Sequence, residues 1–106
     1  MRVYNCEVKK GGFFSSDYLI FQVDTNPVKW GVQRKDSDFY TLRKIMTRQF
    51  PHILIPPLPI KLNKWTSKAL KKREKHFSRF MAAISRSEEL KSSFFLQQFL
   101  KQKDQK

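Results

Sequence analysis

Residues 50–61 read Phe-Pro-His-Ile-Leu-Ile-Pro-Pro-Leu-Pro-Ile-Lys and constrain this chain more than any other stretch. Pro51, Pro56, Pro57 and Pro59 remove backbone donors and hold their preceding residues extended, so the segment is not a helix. It is also too apolar for an ordinary solvated linker. Helical patterns flank it on both sides. The fold must therefore carry an extended apolar crossing between two helical parts, and something must pack on that crossing.

The chain has 106 residues, enough for one small domain with one core. Ten phenylalanines and 40% apolar residues supply that core. Cys6 is the single cysteine, which excludes an internal disulfide framework and fits a reducing setting. No apolar run approaches the roughly 20 residues of a membrane-spanning helix, and no signal-peptide pattern appears. Any membrane contact is expected to be peripheral.

A net charge of +13 calls for an anionic partner. Its distribution says more than its size. Residues 61–81 hold Lys61, Lys64, Lys68, Lys71, Lys72, Arg73, Lys75 and Arg79 against the single acid Glu74.

The first third predicts strands. Residues 3–9 form a short mixed run, and Gly11-Gly12 marks a turn. Residues 18–24 alternate around Leu19, Phe21 and Val23. After the turn signal Asn26-Pro27, residues 28–34 alternate through Val28, Trp30 and Val32. Three strands with short turns predict an antiparallel meander.

Asp36 or Ser37 is placed to cap a following helix with a stripe at Phe39, Leu42, Met46 and Phe50. Pro51 ends it. A second helix is expected over 67–85, with Leu70, Phe77, Phe80, Met81 and Ile84 on one side. Ser92 or Ser93 caps a last short helix bearing Phe95, Leu96, Phe99 and Leu100. The expected organisation is one α+β domain over 1–100, strands first and helices after, with a polar tail at 101–106.

Arg73 is the odd residue of the second helix. It lies three after Leu70 and four before Phe77, which puts it on the apolar stripe. It either snorkels to water or aims a cation into a groove.

These elements carry a resemblance. Val32-Gln33-Arg34-Lys35-Asp36-Ser37-Asp38-Phe39 resembles the V-x-R-R-Y-S-D-F strand-to-helix motif of phox-homology (PX) domains, as found in sorting nexins. Ile55-Pro56-Pro57-Leu58-Pro59-Ile60-Lys61 looks like the PX proline-rich segment. Ser93-Phe94-Phe95-Leu96-Gln97-Gln98-Phe99-Leu100 is similar to the family's closing S-x-x-L-x-x-F-L pattern. The ordered set spans essentially the whole chain.

The resemblance implies a three-stranded antiparallel sheet packed on a helical subdomain, with a lipid pocket between them. It implies a peripheral phosphoinositide-binding domain on endosomal membranes, reading phosphatidylinositol 3-phosphate for sorting. Lys61 matches the family lysine that meets the 1-phosphate. Arg73 matches the arginine that holds the 4- and 5-hydroxyls. The junction arginine for the 3-phosphate falls on Lys35, with Arg34 just before it, and the strand end leaves either side chain as the inward one.

The ring-stacking aromatic falls on Asp36. Lysine keeps the charge of the junction arginine but loses its bidentate fork. An aspartate facing the pocket at about 5 Å repels an anionic headgroup by on the order of 3 kcal/mol at an effective dielectric of about 20. Asp36 has a second role open to it, as a helix cap turned away. The alternative function is thus a divergent PX domain without specific headgroup reading, acting on acidic membranes or proteins.

Leu62 and Trp65, among Lys61, Lys64 and Lys68, suit a membrane-insertion loop, with packing of Trp65 on the core as the competing reading. Pro56 to Lys61 also fits an SH3 ligand, a PxxP core followed by a cation. Nucleic acid suits the charge, but the aromatics fall mostly at core spacing. His52, His76 and Cys6 lack metal-site spacing, and no Gly-rich phosphate loop or nucleophile–base pair is present. The expected activity is binding rather than catalysis, with no cofactor.

Overall fold

The computed structural model describes residues 2–13, 16–24, 31–60 and 65–101. Strands β1 (Arg2–Lys9), β2 (Tyr18–Asp24) and β3 (Gly31–Lys35) form one antiparallel meander in the order β1-β2-β3. Phe21 pairs with Arg34 and Val23 with Val32. Strand alternation then places Leu19, Phe21, Val23, Val32 and Arg34 on one buried face. The Asn26-Pro27 turn and the start of the third strand at Val28 lie outside the described residues.

Helices α1 (Asp36–Gln49), α2 (Ser67–Ser85), α3 (Glu88–Lys91) and α4 (Phe94–Leu100) follow. Strands precede helices, as the α+β expectation requires. Two details differ from the sequence reading. The N-cap of α1 is Lys35, one residue before Asp36, and the Asp38 carboxylate accepts the Lys35 backbone N–H at 2.8 Å. A cap satisfied from the third helical residue needs no Ser or Asp at the cap itself. The single-turn α3 is too short to leave an apolar period, so it was not expected.

Thr66 and Ser93 cap α2 and α4 through their hydroxyls, accepting from Ala69 and Leu96. The helices meet the sheet through an aromatic cluster. Phe39 of α1 lies 4.4 Å from Phe77 of α2, centroid to centroid, and 5.1 Å from Phe99 of α4. Phe21 of β2 stands edge-on to Phe39 at 5.6 Å. Such pairs add about 0.5–1.5 kcal/mol each beyond area burial. This cluster fixes the base on which both buried arginines sit.

The outer edge of β1 faces α2. Ser78 Oγ accepts the Val3 N–H at 2.9 Å and donates to the Val3 carbonyl, while Glu74 Oε2 accepts the Cys6 N–H at 2.7 Å. A bulge between Tyr4 and Glu7, with Asn5 at φ 52°, bends the strand here. Asparagine tolerates that left-handed conformation better than most residues.

Candidate functional site

The site is built where the proline-rich crossing passes between α1 and α2. From Ile55 onward, side chains of α1 and α2 donate to the carbonyls of the crossing. Arg43 Nε donates to the Pro56 carbonyl at 2.7 Å and Nη2 to the Ile55 carbonyl at 3.3 Å. The Tyr40 hydroxyl donates to the Pro59 carbonyl. Arg73 Nη2 donates to the Ile60 carbonyl at 2.8 Å. A segment poor in backbone donors is thus tied down through its acceptors. For SH3-type capture these carbonyls are already engaged, and of Pro56, Pro57 and Pro59 it is Pro57 that is exposed.

Arg73 is 4% exposed. Its Nη1 donates to the Tyr40 hydroxyl at 2.8 Å, and its guanidinium lies 5.6 Å from the Phe77 ring centroid. It has not snorkelled: it reaches across to α1 and to the end of the crossing. Ile60 is the last described residue before Lys61, so Arg73 fixes the main chain from which Lys61 departs. Lys61 and Leu62 themselves lie outside the described residues.

Arg34 and Lys35 part company at the end of β3. Arg34 takes the buried face and is 6% exposed. Its Nε donates to the Phe99 carbonyl at 2.7 Å, Nη1 to the Gln33 carbonyl at 2.6 Å, and Nη2 to the Lys101 carbonyl. Lys35 takes the outer face, with its ammonium 4.5 Å from the Tyr18 ring centroid. The alternation left open in the sequence is thereby resolved: Arg34 is turned to α4 and Lys35 to Tyr18.

Asp36 acts electrostatically on both Tyr40 and Cys6. Burial pushes the Tyr40 hydroxyl above its ordinary pKa, Arg73 opposes this, and Asp36 adds to it. Burial also drives the Cys6 thiol up to about 12, helped by Glu74 and Asp36 and opposed by Arg73. Asp36 and Tyr40 are four apart on α1, which puts them on one side of that helix. Burial lowers the Arg34 pKa, with Asp38 opposing.

Trp65 is half-buried and packs against the core. The apolar side chain left in solvent at this end is Ile60, 85% exposed. Ile60 lines a groove of about 220 Å³ with Pro59, Ala69, Lys72, Arg73 and His76. Phe13, at the turn after β1, is 96% exposed. Sequence reasoning missed Ile60 and Phe13. The only signal for Phe13 was its place next to Gly11-Gly12, where a strand turns and cannot bury a ring. Among the described residues no cluster of His, Cys, Asp and Glu has a metal-binding arrangement, and no helix is long and apolar enough to cross a membrane.

Residues 23–103 match the family model described as PX domain. Sorting nexin-3 of Candida albicans is 33% identical over 58 residues, which cover 51% of this chain and 37% of that protein. The alignment thus spans well under half the length of this curated relative. The structure is similar to that of a designed CISK-PX domain, with a TM-score of 0.73 and 28% identity, covering 95% of this chain and 99% of that one.

Proposed function

Because the chain belongs to the PX domain family, we propose that it is a peripheral membrane-targeting module that binds a phosphoinositide headgroup, phosphatidylinositol 3-phosphate in the first instance, on endosomal membranes. It works by binding rather than by catalysis. The observation that carries this reading is Arg73: a buried cation spanning α1, α2 and the end of the crossing, directly before Lys61. Arg73 and Lys61 meet the ring hydroxyls and the 1-phosphate. Lys35 supplies the charge at the strand–helix junction. The committed bonds of Arg34 make it the support of the last helix, and its share of the phosphate role passes to Lys35. Ile60 joins Leu62 as the apolar surface presented to the bilayer, while Trp65 packs against the core.

A second reading, a PX domain without specific headgroup recognition, is favoured by Asp36. Its carboxylate acts on Tyr40, which is hydrogen-bonded to Arg73. A negative charge there opposes an anionic ligand. Liposome sedimentation across a phosphoinositide panel at two salt concentrations separates the two. Selectivity for one headgroup that survives moderate salt supports the first reading. Equal, strongly salt-sensitive binding to every anionic vesicle supports the second and removes the first.

A further inference from the structure

Among the described helices, α2 carries the longest row of exposed cations. Lys68, Lys71, Lys72, Lys75 and Arg79 recur at spacings of three and four and are all exposed. At about 100° per residue they fall on the side opposite Arg73, Phe77 and Ile84. At about 1.5 Å per residue the row runs on the order of 16 Å. The one acid of the helix, Glu74, lies off this face, with its carboxylate bonded to the Cys6 N–H. By contrast α3 opens with Glu88 and Glu89, and the exposed glutamines of α4 are neutral.

Like charges three and four apart weaken a helix. A face whose purpose is solubility normally intersperses both signs. Here the acid that might have relieved the row is spent on β1, so relief has to come from outside the helix. The row also runs into the site: Lys72 lines the same groove as Ile60 and Arg73. An exposed isoleucine beside a lysine row suits a bilayer, with its apolar interior under an anionic surface, better than a polyanion in water.

We propose that the outer face of α2 is a cationic rail that lies along an anionic lipid surface, taking abundant monoanionic lipids such as phosphatidylserine in addition to the lipid held at Arg73. The inference rests on the protein being a membrane-binding module but not on its choice of headgroup. The rail fixes which side of the domain faces the bilayer.

The test uses vesicles of phosphatidylcholine with roughly one third phosphatidylserine and no phosphoinositide. The triple variant Lys71→Gln, Lys75→Gln, Arg79→Gln leaves the groove residue Lys72 intact. A charge-matched control carries Lys44→Gln, Arg48→Gln and Lys91→Gln on α1 and α3. Each cation near an anionic leaflet contributes about fivefold, so the rail variant should lose on the order of 100-fold in affinity and the control less than about tenfold. The rail variant should melt no lower than the parent, since repulsion has been removed.

Equal losses in the two variants would overturn the proposal, because net charge alone would then explain binding. It is also overturned if the rail variant keeps vesicle binding but loses single-stranded RNA. If no headgroup selectivity is found in the parent while the rail variant still detaches from phosphatidylserine vesicles, the rail stands and the failure belongs to headgroup reading.

Discussion

Arg34 and Arg73 are buried to nearly the same depth, yet they do different things with their charge. Among the described residues neither forms an ion pair. Both are compensated by oxygen acceptors, as a buried cation must be. Arg34 spends Nε, Nη1 and Nη2 on three main-chain carbonyls, two of them at the end of α4. Arg73 spends its described bonds on a hydroxyl and on the last carbonyl before Lys61. Burial alone therefore does not mark a functional cation. What distinguishes the two is where their acceptors lie: on β3 and the end of α4 for Arg34, on α1 and the end of the crossing for Arg73.

The largest expected effect is on stability. Arg34→Ala leaves carbonyls of Phe99 and Lys101 without their charged donor and should cost about 3 kcal/mol. In a domain of this size that lowers Tm by on the order of 15 °C by calorimetry. Binding measured well below Tm should keep its headgroup preference. If the preference is lost with the fold intact, Arg34 belongs to the ligand and the contrast fails.

Arg73→Ala should act the other way round. Headgroup-selective liposome binding should fall at least about thirtyfold, roughly 2 kcal/mol, with a smaller loss of Tm than in Arg34→Ala. Arg73→Lys, which keeps the charge but not the fork, should bind about tenfold more weakly and melt near the parent. Should Arg73→Lys bind normally, the assignment of the site is wrong.

Asp36→Tyr sharpens the comparison from the first turn of α1. It restores an aromatic where the family motif has one and removes the charge beside Tyr40. Binding should tighten by up to about tenfold in the same sedimentation assay, with a stability change under about 1 kcal/mol. An unchanged affinity places Asp36 outside the ligand's reach.

Cys6 reports the local field around Arg73. The folded Cys6 pKa is raised from its ordinary value of 9.0 to about 12. The folded state therefore holds this proton more tightly than the unfolded one. Its contribution to stability is fully present below pH 9 and is lost as pH rises towards about 12. At pH 9 iodoacetamide should label native Cys6 on the order of 100-fold more slowly than the unfolded chain. Because Arg73 lowers this pKa, Arg73→Ala should slow labelling further while the fold is intact.

Much of this architecture was legible in the sequence, and the exceptions have physical reasons. Hydrophobic periodicity marked β2, α1 and α2, because each is long enough for its period to show. It also flagged Arg73, a cation on an apolar stripe. It did not orient Arg34 and Lys35, because the period does not mark where the strand stops; the alternation in fact runs through Lys35. The grip of Arg43 on the crossing was invisible, since it joins residues 12 and 13 apart through a side chain and a carbonyl. Lys61 and Leu62 remain a proposal from the motif and connectivity.

The seal on the edge of β1 has a consequence for how the chain is made. Val3 and Cys6 bond to Ser78 and Glu74, partners 75 and 68 positions away. A ribosome releases the strands first, and their outer border stays unguarded until most of α2 has emerged. During that interval the young hairpin is a template for strangers. The order of synthesis thus places the moment of greatest vulnerability early and its remedy late.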